Sequence, residues 1–185
     1  MILPIVQYGD PVLRQKCDPV EVVDEGILTL VAEMIETMID ANGVGLAAPQ
    51  IGRAIRLAVV DVSHDPECVS YLRVDGEDRP VKEVMPLVFI NPEVEGVGGR
   101  EQEEEGCLSI REIRAQVRRP GAVRARLGQL DGSVIELEAD GLLARALQHE
   151  VDHLNGILFV DRLSAAAKVG MRRKLRRLAA EAGDA

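Results

Sequence analysis

Gly141-Leu-Leu-Ala-Arg-Ala-Leu-Gln-His-Glu-Val-Asp-His-Leu154 is the stretch on which the architecture turns. Leu142, Leu143, Ala146, Leu147, Val151 and Leu154 recur at helical steps, which predicts a helix over about 141–154 with one apolar face. Asn155-Gly156 should stop it. Inside it lies an HExxH run, His149 to His153. Residues four apart on a helix stack on one side, with Cβ atoms about 5–6 Å apart. Two imidazoles so placed suit one divalent ion, with bonds of about 2.0–2.1 Å. Glu150 is rotated off that row, where it can take a proton from the attacking water instead of binding the ion. The bland alternative is two chance histidines on a core helix. The chain has only three histidines, however, and two are here. An unpaired imidazole on a buried helix is costly, and a metal would satisfy it.

Two histidines leave the site incomplete, because a hydrolytic metal usually takes three protein ligands and a water. Cys107 is the third candidate. It follows Gly106, which leaves its sulfur approachable, and a nearby cation would hold it as thiolate. Cys17 reads as a small core hydrophobe and Cys68 as an incidental thiol. The third histidine, His64, reads as a solvated surface group.

Working outward, Ile27, Leu30, Val31, Met34, Ile35 and Met38 predict an amphipathic helix over about 24–41, stopped by Asn42-Gly43. Asp10-Pro11 predicts a short helix near 11–16. Residues 43–52 read as a glycine-rich loop whose backbone passes close to something. Ile55 to Val62 and Pro86 to Ile90 read as strands, and 63–83 as a polar surface excursion. Val123, Ala125 and Leu127 alternate with Arg124 and Arg126. After Asp131-Gly132, Ile135, Leu137 and Ala139 alternate with Glu136 and Glu138. That is a hairpin whose arginine and glutamate rows should pair. A last helix should cover about 164–181. Strands and helices without a repeated βαβ unit imply an α+β fold. Antiparallel or mixed sheets should pack around a central HExxH helix, with a helix at the C-terminal end. At 185 residues a single catalytic domain over 1–185 is expected.

Composition narrows the function classes. Hydrophobic residues are 46% and charged residues 29%, a globular balance, and the net charge is −9. A body this acidic is a poor match for nucleic acid, so no DNA partner is expected. Residues 164–185 differ. Lys168, Arg172, Arg173, Lys174, Arg176 and Arg177 against Glu181 and Asp184 leave this tail about +4 and the rest about −13. Three widely spaced cysteines argue against a disulfide framework and for a reducing compartment. No segment reaches the ~20 apolar residues of a membrane span, and no leader is visible, so no membrane association and a cytoplasmic location are expected.

Three motifs in order, Gly-Val-Gly-Leu-Ala-Ala-Pro-Gln (43–50), Glu-Gly-Cys-Leu-Ser (105–109) and Gln-His-Glu-Val-Asp-His-Leu (148–154), resemble those of bacterial peptide deformylase. The resemblance runs from Asp10-Pro-Val-Leu-Arg to the final helix. It implies Cys107, His149 and His153 as metal ligands and Glu150 as the acid/base. It implies one divalent ion per chain, ferrous iron in the cell, with zinc, nickel or cobalt as substitutes. The implied substrate is the N-formyl-methionyl end of a newly made polypeptide, with formate as a product. By the same resemblance the Gln50 side chain and the Leu108 backbone N–H would stabilise the carbonyl oxygen, and Gly45 would pair with the substrate backbone. Val44, Leu142 and Ala146 are candidates for an apolar methionine pocket, or are ordinary core.

Two departures from the family pattern stand out: Arg111 where proline is usual, and the long 63–83 excursion. For the basic tail helix, one reading is a solvated face with Leu175 and Leu178 docked on the body. The other is a contact with the ribosome. Two further functions share parts of the pattern. A general HExxH endopeptidase would need a long groove and a different third ligand. A structural metal module would need a fourth protein ligand.

Overall fold

The structure, a computed structural model, describes residues 1–183; Asp184, counted in the tail's charge, lies outside them. The first helix, α1 (Glu25–Asp40), is capped by Asp24, whose carboxylate accepts the Ile27 N–H at 2.9 Å. It buries Leu30, Val31, Met34, Thr37 and Met38, the face its periodicity marks out. Strands β1 (Gly45–Ala47) and β2 (Leu57–Val60) follow. Next come a small hairpin, β3 (Leu72–Val74) with β4 (Glu77–Asp78), and a single turn, α2 (Val81–Val84). Two long strands, β5 (Leu87–Cys107) and β6 (Ile110–Gly128), lead to β7 (Val134–Asp140). Helices α3 (Gly141–Leu154) and α4 (Ala165–Gly183) complete the chain.

The strands form one seven-stranded sheet in the order β1-β2-β5-β6-β7-β3-β4, and every pairing between neighbours is antiparallel. This is the expected α+β class, with the HExxH helix against the sheet. The expected cross-strand charge rows form in register. Arg124 stands opposite Glu138 and Arg126 opposite Glu136, with Arg126 Nε donating to Glu136 Oε1 at 2.9 Å.

Three apolar clusters hold the parts together. One packs Leu143, Leu147 and Leu154 of α3 against Phe89, Leu127 and Leu137 of the sheet. A second packs α1 onto β1 and β2. The third joins the far end of the β5–β6 hairpin to a 3-10 turn, Phe159–Arg162, with Leu175 and Leu178 of α4 packed against it. The docked reading of the tail helix therefore describes those two leucines. Two of its cations also face the body: Arg177 Nη2 donates to Glu112 Oε2 at 2.8 Å, and Lys174 Nζ to the Glu112 carbonyl.

Some expectations need correcting. Residues 43–52 are not simply loop: they hold β1 and a 3-10 turn, Ala48–Ile51. The 63–83 segment is not a free excursion, because β3 adds to the sheet edge through Leu72 opposite Ala139. The short helix near 11–16 is a 3-10 turn over Pro11–Arg14. The strand at 86–90 continues to Cys107 and folds back along β6. Residues 95–106 are nearly all polar or glycine, and most are exposed on both faces. Such a ribbon carries no hydrophobic alternation to read.

The start of α3 depends on Gly141. Its φ is +57°, and a Cβ there would stand 1.9 Å from the Cys68 carbonyl oxygen. Only glycine lets the chain turn off β7 into the HExxH helix against that backbone.

Candidate metal centre

The tip of the β5–β6 hairpin lies over α3. Cys107 ends β5 and pairs with Ile110, so Leu108 and Ser109 form the turn between the two strands. The ligand atoms of Cys107, His149 and His153 lie within 4.8 Å of one another. Cys107 Sγ is 3.3 Å from His153 Nε2. The two imidazole centroids are 5.0 Å apart, one helical turn from each other. A thiol and two imidazoles converging this closely fit a divalent cation with a borderline-soft preference.

The surroundings fit a cation as well. Glu105 Oε2 lies 3.0 Å from His149 Nδ1, on the side of the ring away from the shared site. A carboxylate there fixes the tautomer and raises the basicity of the other nitrogen. Glu105 is itself held by Arg119 and Arg145, the latter at 2.8 Å through Nη1. Arg119 also donates to Asp152 Oδ2 at 2.8 Å, and Asp152 accepts from Arg162. Burial works to raise the Glu105 pKa, but hydrogen bonds from His149 and Arg119 outweigh it and hold the carboxyl well below its usual range. Burial works to lower the His149 pKa, but its hydrogen bonds to Cys107 and Glu105 push it well up. His153 is pushed down by burial and then by the neighbouring His149.

Glu150 sits beside this cluster, 3% exposed. Burial raises its pKa to about 7. Its Oε2 has no hydrogen-bond partner among the described residues, which leaves it able to take up a proton. Gln50 is also buried. Its Oε1 accepts the Ala47 N–H at 2.9 Å, which turns its amide nitrogen toward Ser109 Oγ at 3.3 Å and Cys107 Sγ at 3.5 Å.

A cavity of about 620 Å³ opens onto these groups. Val44, Gly45, Gln50, Cys107, Leu108, Leu142, Ala146, His149 and Glu150 all line it, and His153 stands behind, buried. The structure thus brings every proposed site residue to one place. His64, read as a solvated group, is exposed but stands with Asp65 at the mouth of this cavity. Arg111 lines the same rim.

Sequence reasoning missed the ion network behind the ligands. Glu105 lies two residues before Cys107 on one strand, so the two share a face, and that spacing could have marked it. Arg119, Asp152 and Arg162 carry no such local signal. Their meeting depends on how the β5–β6 hairpin folds over α3.

Comparison with known proteins agrees with this geometry. Residues 2–169 match the family model described as polypeptide deformylase. The chain is 49% identical to a peptide deformylase of Clostridium botulinum, over 85% of this chain and 94% of that one. It is 48% identical to one of Salinibacter ruber, over 96% and 89%. Among solved structures, a peptide deformylase from Legionella pneumophila is similar with a TM-score of 0.79 at 40% identity, covering 96% of this chain and 95% of the other.

Proposed function

The chain belongs to the polypeptide deformylase family, and from that premise we infer that Glu150, Gln50 and Leu108 hydrolyse the N-formyl group of formyl-methionyl polypeptides at the Cys107–His149–His153 centre. The enzyme is a metal-dependent hydrolase whose products are formate and a free amino terminus.

Cys107, His149 and His153 would hold a divalent cation, which would supply Lewis acidity and lower the pKa of water, less so beside a thiolate that donates charge. The protein's own groups account for the rest. Glu150 accepts a proton from water as its oxygen bonds to the formyl carbon. The carbonyl oxygen gains charge, and the Gln50 amide N–H and the Leu108 backbone N–H donate to it. The C–N bond then breaks, and Glu150 returns the proton to the departing nitrogen. Gly45 offers its backbone to the substrate chain. Val44, Leu142 and Ala146 surround the methionine side chain.

The observation that carries this reading is the buried Glu150 carboxylate, with Oε2 unpartnered among the described residues, lining the same cavity as Cys107 and His149 of a Cys-His-His donor set. Formate release from a formyl-methionyl tripeptide, measured under reducing, oxygen-free conditions, tests it. Rapid release with no cleavage of internal peptide bonds is expected. Internal cleavage indifferent to the formyl group would overturn it.

Three finer assignments belong to the same reading. The cation in the cell is Fe²⁺, the ion expected at a thiolate-containing centre of this family, with Zn²⁺, Ni²⁺ or Co²⁺ able to stand in. The whole chain is one catalytic domain, working in the cytoplasm where formylated chains emerge. No helix among the described residues is long and apolar enough to cross a membrane. The basic face of α4 meets ribosomal RNA, and that contact should weaken steeply with salt. Ribosome affinity unchanged after neutralising Lys168, Arg172, Arg173, Lys174, Arg176 and Arg177 would rule it out.

A further inference from the structure

Three consecutive residues near the N-terminus touch both proposed oxyanion donors. The Val6 N–H donates to the Gln50 carbonyl at 2.8 Å, and the Tyr8 N–H to the Ser109 carbonyl at 2.7 Å. Between them, Gln7 Nε2 donates to the Leu108 carbonyl at 3.2 Å and to the Ile5 carbonyl at 3.0 Å. The same arm is tied to α1 at its other end, where the Leu3 N–H donates to Thr37 Oγ1 at 2.9 Å. Residues 3–8 therefore run as a strap from α1, past Gln50, to the Leu108–Ser109 turn.

We propose that Gln7 is a positioning residue for deformylation, holding the Leu108–Ser109 turn so that the Leu108 N–H points at the developing oxyanion. The proposal rests on the reading of Gln50 and Leu108 as oxyanion donors. The physical case is one of degrees of freedom. Leu108 and Ser109 are the whole connection between two long strands. The Cys107 side is fixed by its place among the ligands. The Leu108 N–H belongs to the Cys107–Leu108 peptide, so its direction is set by Cys107 on one side and by the Leu108 backbone torsions on the other. Those torsions are limited by what holds the Leu108 and Ser109 carbonyls. Those holders are the Gln7 side chain and the Tyr8 backbone. An oxyanion donor works only where it is already aimed, because reorganising during the reaction cancels its benefit. Of the contacts that hold these two carbonyls among the described residues, that of Gln7 comes from a side chain and that of Tyr8 from the main chain. The Gln7 amide is chemically suited to bridging, because two N–H donors on one nitrogen join the arm's own Ile5 carbonyl to the Leu108 carbonyl. No charge is introduced beside the ligands.

The test uses the 185-residue chain loaded with nickel. Gln7→Met keeps the length and removes both donors. The expected result is a fall in kcat on the order of ten- to a hundredfold for a formyl-methionyl tripeptide. Metal content and KM should stay near the parent values, since neither ligands nor pocket are touched. In amide-resolved NMR of the zinc-loaded protein, the Leu108 and Ser109 N–H signals should shift and exchange faster. Gln7→Asn keeps a neutral amide one methylene shorter and should recover part of the rate. If Gln7→Met fails to fold, the milder Gln7→Ser supplies the same readings. An unchanged kcat overturns the proposal. So does a reduced kcat with unmoved Leu108 and Ser109 amides, or a loss that falls equally on metal content. A parent chain that releases no formate, by contrast, strikes at the function itself.

Discussion

A Cβ placed on Gly45 would stand 2.3 Å from Glu150 Oε1 and 2.8 Å from Glu150 Cδ. Glycine at 45 is thus what leaves room for the Glu150 carboxylate. Both distances are far inside van der Waals contact, so Gly45→Ala must displace the Glu150 side chain. The ligands are on other elements and should keep their cation. The expected outcome is a loss in kcat on the order of a hundredfold with full metal content, read from formate release and metal analysis of the same preparation. Parent-level kcat would show that Glu150 tolerates the shift.

The carboxylate behind His149 leads to a different signature. Glu105→Gln keeps the shape but weakens the hold on the ring and on Arg119. Partners of this kind typically contribute about 10–100-fold in metal affinity or activity. Competition against a chelator should show a drop of that size. Unaltered affinity would mean that the helix alone orients His149.

Arg119 is 3% exposed and lies between Glu105 and Asp152. Arg119→Met would leave two buried carboxylates short of their shared counter-charge. Breaking a buried pair this way costs about 3–5 kcal/mol, which for a chain of this size lowers Tm by roughly 6–20 °C. Differential scanning calorimetry measures it. A shift of a degree or two would show that Arg145 and Arg162 carry the charge balance between them.

The Glu150 pKa gives a pH dependence with a defined sign. Burial raises it from 4.5 to about 7 in the folded chain. A carboxyl whose folded pKa exceeds its unfolded one is bound to a proton more readily when folded. It therefore costs stability as pH rises through the window from 4.5 to about 7. Glu150→Gln removes that cost. The metal-free variant should unfold at a higher temperature than the metal-free parent at pH 8, with little difference at pH 4. Equal unfolding temperatures at pH 8 would mean that the buried carboxylate is solvated after all.

What the sequence disclosed divides along physical lines. The elements with strong periodicity and stop signals, α1 and α3, were legible nearly to the residue, because one buried face imposes a repeat. Of the β6–β7 hairpin the part next to the Asp131-Gly132 turn was legible, but not the first part of β6 from Ile110 to Ala122. The two histidines were legible because HExxH fixes its own geometry on a helix, and Cys107, on a distant strand, only through Gly106 before it and the family motif around it. The long ribbon from 95 to 106 was not, since a strand solvated on both faces leaves no pattern. Nor was the attachment of β3 to β7, where Leu72 is the one fully buried side chain of a three-residue strand. Gln7 was invisible for another reason: its partner is a carbonyl 101 residues away, and main-chain acceptors leave no trace in residue identity.

The central claim is that Glu150 moves the proton at a centre held by Cys107, His149 and His153. Formate release and bound metal, measured side by side on Glu150→Gln and Cys107→Ala, address it most directly. The account predicts that Glu150→Gln keeps a full complement of metal and loses hydrolysis of a formyl-methionyl peptide by at least about a hundredfold, while Cys107→Ala binds metal weakly or not at all. Parent-level hydrolysis by metal-loaded Glu150→Gln would contradict it.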